Sequence, residues 1–171
     1  MDKVFEFEGY VMRLINVSDV DNYYKDGFEI LHEEANYYTG SSHGYTKDQI
    51  SKYVHKITKD DSRYDFIICR EKEIIGEVVL NNIADKKAHF RICLFKKENF
   101  SKGIGYKATE NILKFAFEDL ALEAVELEVY PFNHRGTALY EKLGFQIKEE
   151  IFDDNEKEPY KKILKMVLKN C

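Results

Sequence analysis

Residues 100–117, FSKGIGYKATENILKFAF, place two glycines, Gly103 and Gly105, at the start of a strongly periodic segment. Glycine weakens a helix and loses much backbone entropy on folding, so its presence at this position needs a reason. The N–H groups of a first helical turn are unpaired and carry the positive end of the helix dipole, and glycine lets an anion approach them closely. The spacing therefore predicts a phosphate or pyrophosphate cradle, and a plain strand-to-helix turn is the alternative.

Two other phosphate-binding designs fit this stretch poorly. The P-loop pattern G-x-x-x-x-G-K-[ST] is absent, whereas the dinucleotide pattern G-x-G-x-x-G/A is formally matched by Gly103, Gly105 and Ala108. That pattern directly follows a parallel strand, but here seven residues, 96–102, separate the strand-like segment AHFRICLF from the first glycine. Too few β-α units follow to build a dinucleotide fold. A nucleotide-dependent oxidoreductase is therefore the least favoured of the functions considered.

A second candidate segment, NHRGTALYEKLGF, occupies residues 133–145. Asn133 and Tyr140 are seven residues apart, two turns along one helix face, so both side chains can line one groove. A tyrosine phenol in such a groove can donate a proton to a leaving group. The alternatives are a plain helix N-cap for Asn133 and a packed core tyrosine for Tyr140.

The elements that must position these residues can be read from hydrophobic periodicity and from turn and capping signals. They comprise a strand (VFEFEGYVMRLIN), two helices starting at Ser18 and Thr46, three strands (YDFIICR, EIIGEVVL, AHFRICLF), the glycine-led helix, a strand (AVELEVYP), a helix after Asn133, and a final hairpin (FQIKEEIF, YKKILKMVL). Short connections between successive strands predict an α+β fold with a mixed, mostly antiparallel sheet of about seven strands and about four helices. Residues 1–171 are expected to form a single domain.

Composition narrows the classes of partner. A net charge of −5 argues against nucleic acid, which requires a basic surface. No apolar run approaches the length of a membrane span and no signal-peptide core follows Met1, so a cytoplasmic protein without a membrane partner is expected. The three cysteines are far apart and in no metal-ligand spacing, so neither a disulfide framework nor a metal site is expected.

The two motifs together resemble those of the GNAT N-acetyltransferases. The hexapeptide FSKGIG, residues 100–105, is similar to their coenzyme A pyrophosphate loop, Q/R-x-x-G-x-G/A. Residues 133–145 resemble their second signature, N-x-x-A-x-x-L-Y-x-x-x-G-F, with Gly136 where alanine is usual. The order of elements also agrees from end to end, and the similarity looks closest to the ribosomal-protein N-terminal acetyltransferases and spermidine N-acetyltransferases.

The resemblance implies an enzyme that uses acetyl-CoA as co-substrate and moves the acetyl group directly to a primary amine in a ternary complex. The acceptor would be a polyamine, a protein N-terminus or another small amine, and the protein would be a monomer or a homodimer. A non-catalytic module that binds acyl-CoA is the alternative. No acetyl-cysteine intermediate is expected, because no cysteine has a histidine or lysine beside it in sequence.

The resemblance also assigns expected roles by position. Backbone amides of the glycine loop would hold the pyrophosphate, at Ser101, Lys102, Gly103, Ile104, Gly105 and Tyr106. The end of the preceding strand would pair with the pantetheine arm, at Cys93, Leu94 and Phe95. Asn133 would contact the coenzyme arm and Tyr140 would be the general acid. Phe100 stands where glutamine or arginine is usual, so at this position the loop is expected to bind through its backbone alone.

The general base and the acceptor site are less defined. Spermidine-acetylating relatives have a carboxylate near the start of the central strand, where this chain has His89, and histidine can accept a proton near neutral pH. Glu77 is the second candidate base, and for both residues a purely structural role is the alternative. Acceptor choice in this fold depends largely on the first two helices and their connecting loop, where the candidates are Glu33, Glu34, Tyr37, Tyr38 and His43.

Overall fold

The computed structural model describes residues 3–40 and 44–171, in which eight strands form one sheet. The strands are β1 (Val4–Phe7), β2 (Tyr10–Leu14), β3 (Tyr64–Arg70), β4 (Glu73–Ala84), β5 (Lys87–Leu94), β6 (Ala124–Val129), β7 (Gln146–Phe152) and β8 (Lys162–Lys169). The α-helices of the described residues are α1 (Val20–Gly27), α2 (Glu33–Thr39), α3 (Lys47–Ile57), α4 (Ile104–Lys114) and α5 (His134–Lys142). None of them is long and apolar enough to cross a membrane.

The described residues contain one strand more than expected because the first predicted strand is a hairpin. Glu8 and Gly9 adopt positive φ angles of 48° and 86° between β1 and β2. This is the geometry of a tight two-residue turn, in which glycine is favoured. The extra helix has a similar origin. In the helix predicted to start at Ser18, apolar residues recur at helical spacing as far as Leu31, but α1 stops at Gly27 and α2 then forms as a separate short element.

The sheet order is β1-β2-β3-β4-β5-β6-β8-β7, and only the β5–β6 pair is parallel. The α+β fold with a mixed, mostly antiparallel sheet is therefore confirmed. The parallel pair is short, since Lys87–His89 of β5 match residues 124–126 of β6 and no further pairing follows. Beyond His89 the two strands separate, which leaves one edge of β5 without a strand neighbour.

Helices cover both faces of the sheet, and side chains of β5 alternate between two cores as expected for a strand. Phe90 belongs to the core that packs α4 and α5 against the sheet. Phe95 belongs to the second core, beneath α1 and α3. The apolar face predicted for α4 is buried, with Ile104 2% and Ile112 0% exposed. This packing fixes the start of α4, and with it the glycine loop, beside the free edge of β5.

Candidate active site

Three cavities meet where β5 separates from β6. The loop cavity (≈ 180 Å³) lies between the glycine loop, the end of β5 and α5. The splay cavity (≈ 340 Å³) lies between β5 and β6. The aromatic cavity (≈ 890 Å³) lies under α1, α2 and α3, and its lining includes the rings of Tyr23, Tyr24, Phe28, Tyr45, Tyr53 and Phe95. Thr39 and Cys93 line all three cavities, so the cavities converge there.

The glycine loop presents a run of unpaired backbone donors. Ser101 and Gly103 adopt left-handed φ angles of 59° and 82°, which turn the chain sharply before α4. No backbone or side-chain acceptor in residues 3–40 and 44–171 binds the N–H groups of the loop and first helical turn, residues 101–106. The first amide with an intrachain partner is that of Lys107, which donates to the carbonyl of Gly103 at 3.0 Å. Such a run of donors at a helix N-terminus is suited to an anion.

The space beside this loop is open at Gly103. A Cβ added at Gly103 would meet no atom within 4 Å, so it would project into the open cradle. A Cβ at Gly105 would lie 3.7 Å from Leu139, which is ordinary contact with the protein. Glycine at position 103 is therefore favoured by its backbone conformation rather than by crowding within the chain, and it leaves room for an anion to approach the loop amides.

The end of β5 offers backbone groups on its free edge. Its other edge is occupied, because Leu94 is the register partner of Gly76 on β4 and Phe95 donates its N–H to the carbonyl of Ile75 at 2.9 Å. Cys93 and Leu94 also line the loop cavity. A pantetheine arm lying along this edge would find backbone partners of the kind that a neighbouring strand normally supplies.

Tyr140 places a protonated phenol at the junction. Its side chain is 8% exposed, packs edge-on against Phe90 and Phe145, and lines both the loop and splay cavities. Its hydroxyl has no hydrogen-bond partner within the part of the chain that the structure describes. Burial raises the pKa of Tyr140 above its ordinary value, and the nearby charge of Arg135 opposes that rise only in part. The phenol is therefore fully protonated at neutral pH.

Asn133 caps a helix and also lines a cavity, and its expected contact with the coenzyme arm stays a prediction. Its Oδ1 accepts the N–H of Gly136 at 2.9 Å, which caps the start of α5. The same side chain lines the loop and splay cavities. A Cβ at Gly136 would lie 2.7 Å from Nδ2 of Asn133. The capping side chain of Asn133 therefore leaves no room for a methyl group at this position, which explains why the chain has glycine where the second signature has alanine.

Glu77 is held in a polar cluster at the floor of the aromatic cavity. Its Oε1 accepts Nη1–H of Arg91 at 2.9 Å, and its Oε2 accepts the hydroxyl of Tyr23. Nη2 of Arg91 also donates to the hydroxyl of Tyr53 at 3.0 Å. The carboxylate raises the pKa of Arg91 above its ordinary value. Sequence reasoning missed Arg91, Tyr23 and Tyr53 as site residues, because the contacts that join them cross from helices to strands and no local motif marks them.

His89 lies in a different cavity from Glu77. It sits opposite Asn81 of β4 and Glu126 of β6 and lines the splay cavity together with Tyr140. Burial lowers the pKa of His89 below its ordinary value, so the imidazole is neutral at pH 7 and can accept a proton. The two candidate bases thus line different cavities, and Arg91, which binds Glu77, lines both of them.

Cys93 itself is poorly suited to act as a nucleophile. Burial raises the pKa of its thiol to about 12, so almost no thiolate is present at neutral pH. The only hydrogen bond that the Cys93 thiol makes within the described residues is a long one, 3.8 Å, to the carbonyl of Leu94. Cys93 therefore contributes apolar surface and backbone groups at the point where the cavities meet.

The acceptor residues suggested by sequence are mostly outside the cavities. Glu33 and Glu34 occupy the first turn of α2, where Glu34 lies 3.9 Å from the ammonium of Lys97. Neither carboxylate lines any of the three cavities, nor does Tyr37, whose ring packs 4.9 Å from that of Phe132. Tyr38 lines both the loop and splay cavities. His43 lies outside the described residues.

Comparison with known sequences assigns a family to this arrangement. A family model described as "Acetyltransferase (GNAT) domain" matches residues 11–146 of the chain. A curated relative named acetyltransferase PseH, from Campylobacter jejuni, is 30% identical over 99 residues, which are 58% of this chain and 61% of the relative. The alignment thus spans less than two thirds of that relative.

Solved structures share the fold over almost the whole length. A ribosomal-protein-S5-alanine acetyltransferase from Vibrio fischeri has a TM-score of 0.83 and 21% identity, covering 99% of this chain and 97% of its own. A spermidine N-acetyltransferase from Vibrio cholerae, solved with CoA and spermine, has a TM-score of 0.81 and 20% identity, covering 94% and 95%. At these identities the likeness establishes the fold alone.

Proposed function

This chain belongs to the GNAT acetyltransferase family, and we propose that it transfers the acetyl group of acetyl-CoA directly to a primary amine. The observation that carries the proposal is the run of unpaired amides at residues 101–106, which opens into the same cavity as a buried, protonated Tyr140. A protein that only bound the coenzyme would need the amides but not a proton donor facing the junction.

Coenzyme binding would rest mainly on backbone groups. The amides of residues 101–106 would hold the pyrophosphate, and the free edge at the end of β5, beside Cys93 and Leu94, would receive the pantetheine arm. The N–H of Phe95, the third expected position, is already bound to Ile75 on the β4 side. Asn133, at the wall of the same cavity, would contact the arm while it caps α5. Because these groups are fixed by secondary structure, they lose little entropy when the coenzyme binds.

The transfer step needs one proton donor and one proton acceptor. Acetyl-CoA supplies an activated thioester, whose C–S bond breaks as the amine nitrogen forms the new C–N bond. Tyr140 would donate its proton to the departing thiolate, and fixed backbone donors at the end of β5 would stabilise charge on the carbonyl oxygen. The high pKa of the Cys93 thiol favours direct transfer over an acetyl-cysteine route.

We assign proton acceptance to His89 rather than to Glu77. The neutral imidazole of His89 lines the splay cavity together with Tyr140 and Cys93. Glu77 is instead held by hydrogen bonds from Arg91 and Tyr23, so both of its oxygens are already engaged within the protein. In this assignment Glu77 provides a fixed negative charge beside the incoming ammonium group.

The amine would enter through the aromatic cavity, whose charge suits an acceptor with a single ammonium group. Its described charged lining consists of two carboxylates, Glu29 and Glu77, and one guanidinium, Arg91. A polyamine carries several positive charges and would need further carboxylates along its path. The rings of the cavity instead suit a monoamine with an apolar or aromatic body.

The test is a screen in which the protein and acetyl-CoA are mixed with polyamines, monoamines, amino sugars and N-terminal peptides. Thiol release and the mass of the acetylated product are both measured. Product formation with any amine supports the proposal. Coenzyme binding without thiol release for every acceptor would favour the non-catalytic module, and protection from heat by NAD(P) but not by acetyl-CoA would favour an oxidoreductase.

A further inference from the structure

Arg135, the second residue of α5, is held between two aromatic rings. Its guanidinium carbon lies 3.8 Å from the centre of the Phe100 ring and 4.9 Å from that of Tyr38. A planar guanidinium stacks well on aromatic faces, and such contacts restrict an otherwise flexible side chain. The two rings come from different parts of the chain, α2 and the segment before the glycine loop, so the position of Arg135 depends on the tertiary fold.

The charge of Arg135 is not neutralised by the rest of the described chain. Its guanidinium makes no ion pair or hydrogen bond with any residue in 3–40 or 44–171. By contrast, Arg13, Arg63, Arg70 and Arg91 each pair with a carboxylate at 3.1 Å or less. Contact with the rings uses none of the guanidinium N–H groups in a hydrogen bond, so these donors remain able to bind an anion bidentately.

This cation stands beside the pyrophosphate cradle. Arg135 lines the loop cavity together with Ser101 and Gly103, whose amides lie in the run of unpaired donors. Phe100 occupies the loop position at which the GNAT pattern has glutamine or arginine, and the Arg135 guanidinium lies directly over its ring. The side-chain donor that the loop lacks at position 100 is therefore present nearby, supplied by α5.

We propose that Arg135 binds the pyrophosphate of the coenzyme and replaces the side-chain contact missing at the first loop position, with Phe100 and Tyr38 as positioning residues. This inference rests on the proposed use of a coenzyme A thioester. It assigns Arg135 to the pyrophosphate rather than to the 3′-phosphate, because Arg135 shares its cavity with the loop amides. Neither the glycine pattern nor the second signature points to this residue.

The test is calorimetric binding of CoA and of dephospho-CoA, which keeps the pyrophosphate and lacks the 3′-phosphate. Arg135→Gln should weaken both ligands by the same factor, about tenfold or more, as expected for the loss of a charge-assisted hydrogen bond. Equal affinity of the variant and the unaltered protein would overturn the inference, as would a loss seen with CoA but absent with dephospho-CoA. Failure of the unaltered protein to bind either ligand would instead defeat the proposed function.

Two further variants separate a binding role from a change in overall charge or folding. Lys59→Gln removes a positive charge from the turn after α3, outside the three cavities, and should leave both affinities unchanged. Phe100→Leu should weaken CoA binding several-fold in the unaltered protein and have little effect when Arg135 is already glutamine. Equal effects of Phe100→Leu in both backgrounds would contradict its role in positioning Arg135. Thermal melting verifies that every variant is folded.

Discussion

Oε1 of Glu77 lies 2.9 Å from Nη1 of Arg91, across the adjacent strands β4 and β5. The pair forms the charged floor of an otherwise largely aromatic cavity. Because Tyr23 donates to the other carboxylate oxygen, both oxygens of Glu77 are engaged within the protein. A group fixed in this way can orient a cationic substrate with little rearrangement.

Removing the charge of Glu77 should both weaken binding of the acceptor amine and lower the stability of the protein. Glu77→Gln leaves Arg91 without a charged partner, and we expect the free energy of unfolding to fall by about 1–3 kcal/mol. KM for the amine should rise while the affinity for CoA is unchanged. Urea unfolding and steady-state kinetics measure the two effects. As a control, Glu73→Gln disrupts the partly exposed pairs with Arg70 and Lys96 and should cost less than about 1 kcal/mol.

Tyr140→Phe should lower turnover by about tenfold or more without changing the affinity for CoA, because the phenol is proposed to act only when the thiolate departs. The ring would still pack against Phe90 and Phe145, so the fold is preserved. Thiol release gives kcat, and calorimetry gives the coenzyme affinity. Tyr64→Phe, on β3 and away from the cavities, is the matched control. Unchanged turnover in Tyr140→Phe would remove this residue from the mechanism.

A methyl group at Gly103 should block the cradle. Gly103→Ala adds a Cβ that projects into open space at a φ of 82°, so it strains the backbone and meets the ligand. Gly9→Ala is a close control, since Gly9 has a φ of 86° and open space around its Cβ position but lies in the β1–β2 turn. Both variants should lose about 1 kcal/mol of stability. Only Gly103→Ala should lose CoA affinity, and equal affinities would argue against the cradle.

His89 should make the fold sensitive to acid. Burial lowers its pKa below the ordinary 6.5, so in the window between the folded-state pKa and 6.5 the unfolded chain binds more protons than the folded one. The contribution of His89 to stability is therefore present above this window and is lost as the pH falls through it. When the pH is lowered from about 7.5 to about 5.5, the free energy of unfolding should therefore fall less in His89→Gln than in the unaltered protein. Identical losses in the two proteins would mean that His89 is not held neutral by the fold.

The charge of the aromatic cavity predicts acceptor selectivity. With Glu29, Glu77 and Arg91 as its described charged lining, a ring-bearing monoamine such as phenethylamine should have a higher kcat/KM than spermidine. The ratio should be at least about tenfold, because each unpaired charge taken into the cavity costs of the order of 1–3 kcal/mol. Competition between the two amines, with products identified by mass, measures the ratio directly. A preference for spermidine would contradict the proposed acceptor class.

Much of the fold followed from local signals. The glycine pair, the capping residues and the alternating strands are read over a few neighbouring residues, and they correctly placed α4, α5 and the three central strands. The β1–β2 hairpin was missed because the strand-forming residues on both sides of Glu8–Gly9 read as one strand, although Gly9 is a residue typical of turns. The end of α1 at Gly27 was missed for a comparable reason, since the apolar spacing continues beyond it.

The sequence by itself predicted an anion cradle at the glycine loop, because such a cradle is made of consecutive backbone amides and needs only local geometry. Only the tertiary structure decided which side chains surround that loop. It joined Glu77 to Arg91 and Tyr23, placed His89 in a separate cavity, and set Arg135 over Phe100. These contacts link residues far apart in the chain, and their partners are chosen by sheet register and helix packing, which no short motif encodes.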